Sequence, residues 1–138
     1  MSVRNGDRDE GKLQVIEEAE RMYKYTYEKC VGKTFPKSER FMLPSHIEEE
    51  AYRAESKLIR ANRIRVTCKL EAEMRILLEE EAIGHLDELC HLIDAANLTG
   101  RISDREADHW TDLVSTTQDL ALKWLKQQRG YYKDFLNS

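Results

Sequence analysis

The stretch Ser45–Asn97, SHIEEEAYRAESKLIRANRIRVTCKLEAEMRILLEEEAIGHLDELCHLIDAAN, decides the architecture. It contains no proline and a single glycine, Gly84. Read as one helix it would extend roughly 80 Å at 1.5 Å per residue, more than a compact domain of 138 residues can cover. The β-branched residues Ile64, Val66 and Thr67 weaken helix propensity, and Thr67 has the chemistry of an N-cap. The sequence therefore predicts a tight break near 63–67, dividing the stretch into helices over 46–63 and 68–98. Ser45 with Glu48 three residues on matches a capping box, and Glu48, Glu49 and Glu50 complement the positive end of the helix dipole.

Downstream, Asn97-Leu98-Thr99-Gly100 closes the third helix and Ser103-Asp104-Arg105-Glu106 forms a second capping box, so a short hairpin leads into a helix over 104–129. Trp110, Leu113, Thr117, Leu120 and Trp124 repeat there at alternating spacings of three and four, beside Val114, Ala121 and Leu125. Gly130 is placed to end this helix, leaving Tyr131, Tyr132, Phe135 and Leu136 in an aromatic tail over 131–138. Upstream, Leu13, Ile16, Glu20, Tyr23, Tyr27 and Cys30 trace a stripe on a helix over 11–31, with Gly32 as its left-handed terminator. Residues 1–10 hold Gly6 and mixed charges with no apolar period, and read as a disordered tail. The one long connection is Lys33–Ser45, KTFPKSERFMLPS, which carries both prolines. The expected fold is all-α, an antiparallel up-down-up-down four-helix bundle over 11–130. In its third helix Leu70, Met74, Leu77, Leu78, Ala82, Leu86, Leu89, Ile93 and Ala96 form the core stripe. Ile76, Ile83, Cys90 and Leu92 widen it, as expected of a helix buried centrally or against a second subunit.

Composition agrees: 35% charged, 41% hydrophobic, 6 Gly and 2 Pro suit a helical chain and oppose turn-rich β classes. No run approaches the roughly 18 to 20 apolar residues that span a bilayer. The polar N-terminus does not resemble a signal peptide, and three widely spaced cysteines, Cys30, Cys68 and Cys90, suit reduced, buried thiols. A cytoplasmic protein is expected.

Few residues invite catalysis. Glu88…His91 and Glu106…His109 have the E-x-x-H spacing of di-iron bundles. However, Glu88 and His91 fall off the apolar stripe, Glu106 is occupied by its capping box, and Glu20 is the only inward carboxylate expected of the first helix. Cys90 and His91 are adjacent on a helix and point apart. Phosphate-cradling glycine loops and H-E-x-x-H are absent. A di-iron carboxylate enzyme is thus a remote alternative; no catalysis, metal or cofactor is expected.

The charge distribution is more informative than its sum of −4. Residues 53–75 hold seven cations (Arg53, Lys57, Arg60, Arg63, Arg65, Lys69 and Arg75) against three acids. Residues 123–133 add Lys123, Lys126, Arg129 and Lys133 with no acid, beside Tyr131 and Tyr132, while 79–94 hold six acids and neither Lys nor Arg. Clustered cations suit phosphates and exposed tyrosines suit base stacking. Ordinary solvated helix faces balanced by neighbouring acids are the more economical account of each patch taken by itself. If RNA is bound, these cations, Arg75 apart, are its expected contacts.

The connector Phe35-Pro36-Lys37-Ser38-Glu39-Arg40-Phe41-Met42-Leu43 resembles the F-P-K/R-x-E/H-R-F-x-L connector of one four-helix-bundle superfamily. That superfamily holds the accessory variability determinant (Avd) proteins of diversity-generating retroelements and the proteins encoded in ribosomal RNA intervening sequences. Leu86-Asp87-Glu88-Leu89, Leu92-Ile93, Ala96-Asn97 and Ile102-Ser103 resemble its third helix and following turn, and Trp124-Leu125-Lys126 resembles the end of the Avd fourth helix. Leu58-Ile59-Arg60-Ala61-Asn62-Arg63-Ile64-Arg65 is closer to Avd than to the N-I-A-E-G-like segment of the other group. The Avd resemblance implies a homopentamer that binds a reverse transcriptase and its template RNA, supports mutagenic cDNA synthesis and has no chemistry of its own. The other resemblance implies a bundle of undefined role.

Overall fold

The described residues form four long helices and one short one: α1 (Val3–Val31), α2 (Leu43–Arg63), α3 (Lys69–Leu98), α4 (Asp104–Tyr131) and α5 (Lys133–Leu136), with a 3-10 turn at Lys37–Glu39. The computed structural model describes the backbone of residues 3–138 and the side chains of residues 14–138. Cross-helix pairs fix the directions. Lys29 meets Glu106 and the Thr117 hydroxyl donates to the Glu18 carbonyl, so α1 and α4 run antiparallel. Lys57 with Glu81 and Glu50 with His85 set α2 against α3, and Gln118 with Asp87 and Arg75 with Gln128 set α3 against α4. The fold is the expected antiparallel four-helix bundle, α1 packing on α2 and α4, and α3 on the same two. One end carries the 64–68 turn, the last turns of α4, and α5; the other carries the 32–42 connector and the 99–103 turn.

Helix boundaries follow local chemistry. Ser103 accepts from the Glu106 amide at 3.1 Å while the Glu106 side chain accepts from the Ser103 amide at 3.0 Å, completing the expected capping box. Lys29 and the Ser103 amide together pull the Glu106 carboxyl down to about 2. Gly100, at φ 74°, closes α3 with bonds from its own amide to the Asn97 carbonyl and from the Arg101 amide to the Ala96 carbonyl, the paired arrangement of a Schellman motif.

Several expected boundaries move. Helix α1 starts at Val3 rather than 11, because glycine weakens a helix by only about 1 kcal/mol and propagation from an established helix is cooperative. Of the expected tail, residues 1 and 2 lie outside the described ones. Helix α2 starts at Leu43 with Pro44 in its first turn, where proline's missing N–H is no loss. Ser45 is therefore inside the helix and forms no capping box; Glu48 instead accepts the Tyr23 hydroxyl at 2.6 Å. Helix α3 is capped at Cys68 rather than Thr67, whose amide and hydroxyl both donate to Glu71. Gly32 does not take a left-handed conformation; a Cβ there would meet the Glu28 carbonyl oxygen at 2.8 Å. Gly130 does not end α4, which continues to Tyr131, and the aromatic tail forms α5.

The core lies in two layers. Toward the connector, Met22, Ile47, Leu86, Leu89, Ile93 and Trp110 are fully buried, and the Trp110 indole N–H donates to Thr26 Oγ1 at 2.9 Å. Toward the other end, Ala19, Ala61, Ala82 and Ala121 let the helices approach closely around Val15, Leu58 and Trp124. The α1 stripe is thus Val15, Ala19, Met22, Thr26 and Cys30, rotated from the expected one; Glu20 and Tyr27 are exposed and the Leu13 side chain lies outside the described residues. Leu70, Met74 and Leu77 likewise face solvent, and Ala72, Arg75, Ile76 and Glu79 occupy the core side of α3. Cys30 is buried, which pushes its thiol up to about 12, but Cys90 is half-buried and Cys68 exposed. Among the described residues no helix is long and apolar enough to cross a membrane.

Candidate nucleic-acid interface

The 64–68 turn is held from below by a buried arginine. Ile64 takes an extended conformation after α2, and its carbonyl accepts from Arg75 Nη1 at 2.9 Å. Arg75 also donates through Nε to Gln128 and lies 5.4 Å from the Trp124 ring and 5.6 Å from that of Tyr132. One guanidinium thereby ties the α2–α3 turn to the end of α4 and its continuation. Glu79, one turn on, lies 3.7 Å from Arg75 and is fully buried. Neither of its oxygens has a hydrogen-bond partner, nor do Arg75 Nη2, Trp124 Nε1 and Asn62 Oδ1. Burial pushes the Glu79 carboxyl up to about 8 against the opposing pull of Arg75 and Arg129.

This scaffold brings the two basic segments to the same end of the bundle. Arg60 and Arg63 leave the last turns of α2, Arg65 sits on the turn, Lys126 stands near the end of α4 and Lys133 opens α5, all exposed. The Lys69 ammonium crosses to the Ser138 carbonyl at 2.9 Å, locking α3 to the tail. Arg60, Arg63, Arg65, Lys123, Lys126 and Lys133 form no ion pair among the described residues.

The other expected contacts are placed differently. Arg53 pairs with Glu49 at 3.4 Å, Lys57 with Glu81 at 3.1 Å, and Arg129 with Glu80. Part of the acidic 79–94 run thus neutralises part of both patches. Lys123 borders a groove between α1 and α4 with Glu17, Glu18 and Asp119, away from the turn. Of the two tyrosines, Tyr131 is 57% exposed, but Tyr132 is half-buried over Arg75. Glu88 and His91 face solvent.

Arg75 and Glu79 are what sequence reading passes over. Each counts as one more member of a charge run, yet they continue the 3-4 stripe of Ala82, Leu86 and Leu89 backward along α3. A charged i, i+4 pair on an apolar stripe was the available signal. No family model matches this sequence, and no curated protein or solved structure matches it significantly.

Proposed function

We propose that this chain is a non-catalytic, oligomeric accessory protein that holds RNA by its phosphates, serving a reverse transcriptase and its template RNA as its resemblance to the Avd proteins implies. One observation carries the RNA part: Arg60, Arg63, Arg65, Lys126 and Lys133, from separate segments, share one end of the bundle without ion-pair partners among the described residues. Unpaired cations are free to displace counterions from a phosphate chain, so binding is expected to depend on salt more than on base sequence. With about three to five phosphates engaged on a single strand, log K falls against log salt with a slope of about −2 to −3.5. The ion pairs of Arg53, Lys57 and Arg129 favour the second reading, an intervening-sequence-type bundle whose charge is ordinary surface.

The test is recovery of the tagged protein from its host, identifying bound RNA and protein. The expected result is RNA together with a reverse transcriptase, the RNA lost in Arg60→Glu/Arg63→Glu. That variant should keep the wild-type melting curve, since surface changes usually cost within about 0.5 kcal/mol. Recovery of neither partner, or RNA retained by the variant, overturns the proposal.

A further inference from the structure

The connector end of the bundle exposes large apolar side chains. Phe41 and Met42, 87% and 61% exposed, lie between the 3-10 turn and α2, while Tyr27 and Val31 stand half exposed on the last turns of α1. Two open hollows lie among them. One, of about 510 Å³, is bordered by Val31, Phe35, Lys33, Lys37 and Arg40; the other, of about 210 Å³, by Tyr27, Phe41, Pro44, Glu48 and again Arg40.

The surface is built rather than loose. Phe35 and Pro44 are buried anchors, and Glu39 accepts two bonds from Arg101, clasping the connector to the 99–103 turn. Its unpaired charge is net positive. Lys33, Lys37 and Arg40 are exposed and form no ion pair among the described residues. Of the neighbouring acids, Glu39 is paired with Arg101 and Glu106 with Lys29, while Glu48 accepts the neutral Tyr23 hydroxyl and has no cation paired with it among the described residues. Glu28 is exposed and, like Glu48, forms no ion pair among the described residues, leaving three unpaired cations to two unpaired acids.

We propose that this face docks an acidic amphipathic peptide segment of a partner protein. Its apolar side chains would enter the two hollows and cover Phe41 and Met42, and its carboxylates would meet Lys33, Lys37 and Arg40. A peptide is favoured over a nucleic acid because a helix presents apolar anchors at i, i+3, i+4 and i+7 that fill recessed hollows and cover Val31 and Met42, which offer no π-face. Phe41 and Tyr27 do offer one, so competition by an oligonucleotide is part of the test. The clasped connector limits the ordering cost of binding. The inference uses the opposite end from the RNA face and different residues, so either can fail without the other.

A fluorescein-labelled peptide of about 18 residues, with Leu and Phe at i, i+3, i+4 and i+7 and Glu elsewhere, is the probe for anisotropy titration with the full chain. Phe41→Ala/Met42→Ser is expected to weaken binding about fivefold or more. Lys37→Glu/Arg40→Glu is expected to weaken it about tenfold and flatten its salt dependence. Arg60→Glu/Arg63→Glu should change nothing, and all variants should keep the wild-type helical circular dichroism. The proposal is overturned if a Lys-for-Glu version of the peptide binds equally well, if neither connector variant weakens binding, or if a uridine oligonucleotide displaces the peptide and itself depends on Phe41 and Met42.

Discussion

Glu79 is the residue whose environment most contradicts its chemistry. Fully buried, with neither oxygen hydrogen-bonded, it keeps its proton up to about 8, while an unfolded glutamate ionises near 4.5. Between these values the folded state binds more protons than the unfolded one, so this carboxyl makes stability fall as pH rises from about 4.5 to about 8 and level off above. Glu79→Gln removes the ionisation with little change of shape. Urea midpoints measured at about pH 5 and about pH 8 should drop in the wild type by clearly more than in the variant. Equal drops would mean that Arg75 and Arg129 keep Glu79 charged. The same residue marks a limit of sequence reading. An acid within the run Glu79-Glu80-Glu81 looks solvated by its neighbours, and only the packing of α3 against α2 and α4 turns it inward.

At the scale of the element, two glycines separate backbone conformation from packing. Gly100 holds φ 74° and a Cβ built on it meets nothing within 4 Å, so Gly100→Ala would cost about 1 to 2 kcal/mol through the left-handed backbone alone. Gly84 lies inside α3 with equally open space, where alanine gains about 0.5 to 1 kcal/mol of helix propensity. The same substitution should therefore lower the thermal midpoint at Gly100 and raise it at Gly84; an unchanged or raised midpoint in Gly100→Ala would refute the Schellman ending. Helix α4 and its cap were legible because a capping box and tryptophans at helical spacing agree with burial. Helix α1 was not, because its tyrosines look like core residues while Val15, Ala19 and Thr26 are the side chains small enough for the space between α2 and α4. The basic segments were legible one by one. Their meeting at one end depends on α4 running antiparallel to α3, and their partial neutralisation on ion pairs between helices.

For the whole molecule, the rotation of α3 leaves an apolar stripe uncovered. Leu70, Met74 and Leu77 are 64%, 47% and 52% exposed, and their i, i+4, i+7 spacing puts them on one outer face. Full burial of an exposed side chain of this size gains about 1.5 to 3 kcal/mol, and with about half of each still exposed a monomer leaves about half of that unused. Three side chains are less than the roughly 1,000 Å² of a specific interface, so the proposed oligomer must also enclose polar neighbours: Glu73, and Glu81 with its partner Lys57. Enclosing Glu73, which forms no ion pair among the described residues, requires a cation opposite, which a second copy would supply. Light scattering on the size-excluded protein should then give a multiple of the single-chain mass, a pentamer if the Avd resemblance extends to assembly. Met74→Glu/Leu77→Glu should reduce it to the single-chain mass without altering helix content, because both side chains are already in solvent in one chain. If Arg60→Glu/Arg63→Glu also dissociates the assembly, the basic end is shared between RNA and subunit contact. A wild-type mass equal to one chain would remove the oligomer from the proposal and leave the RNA face to be judged alone.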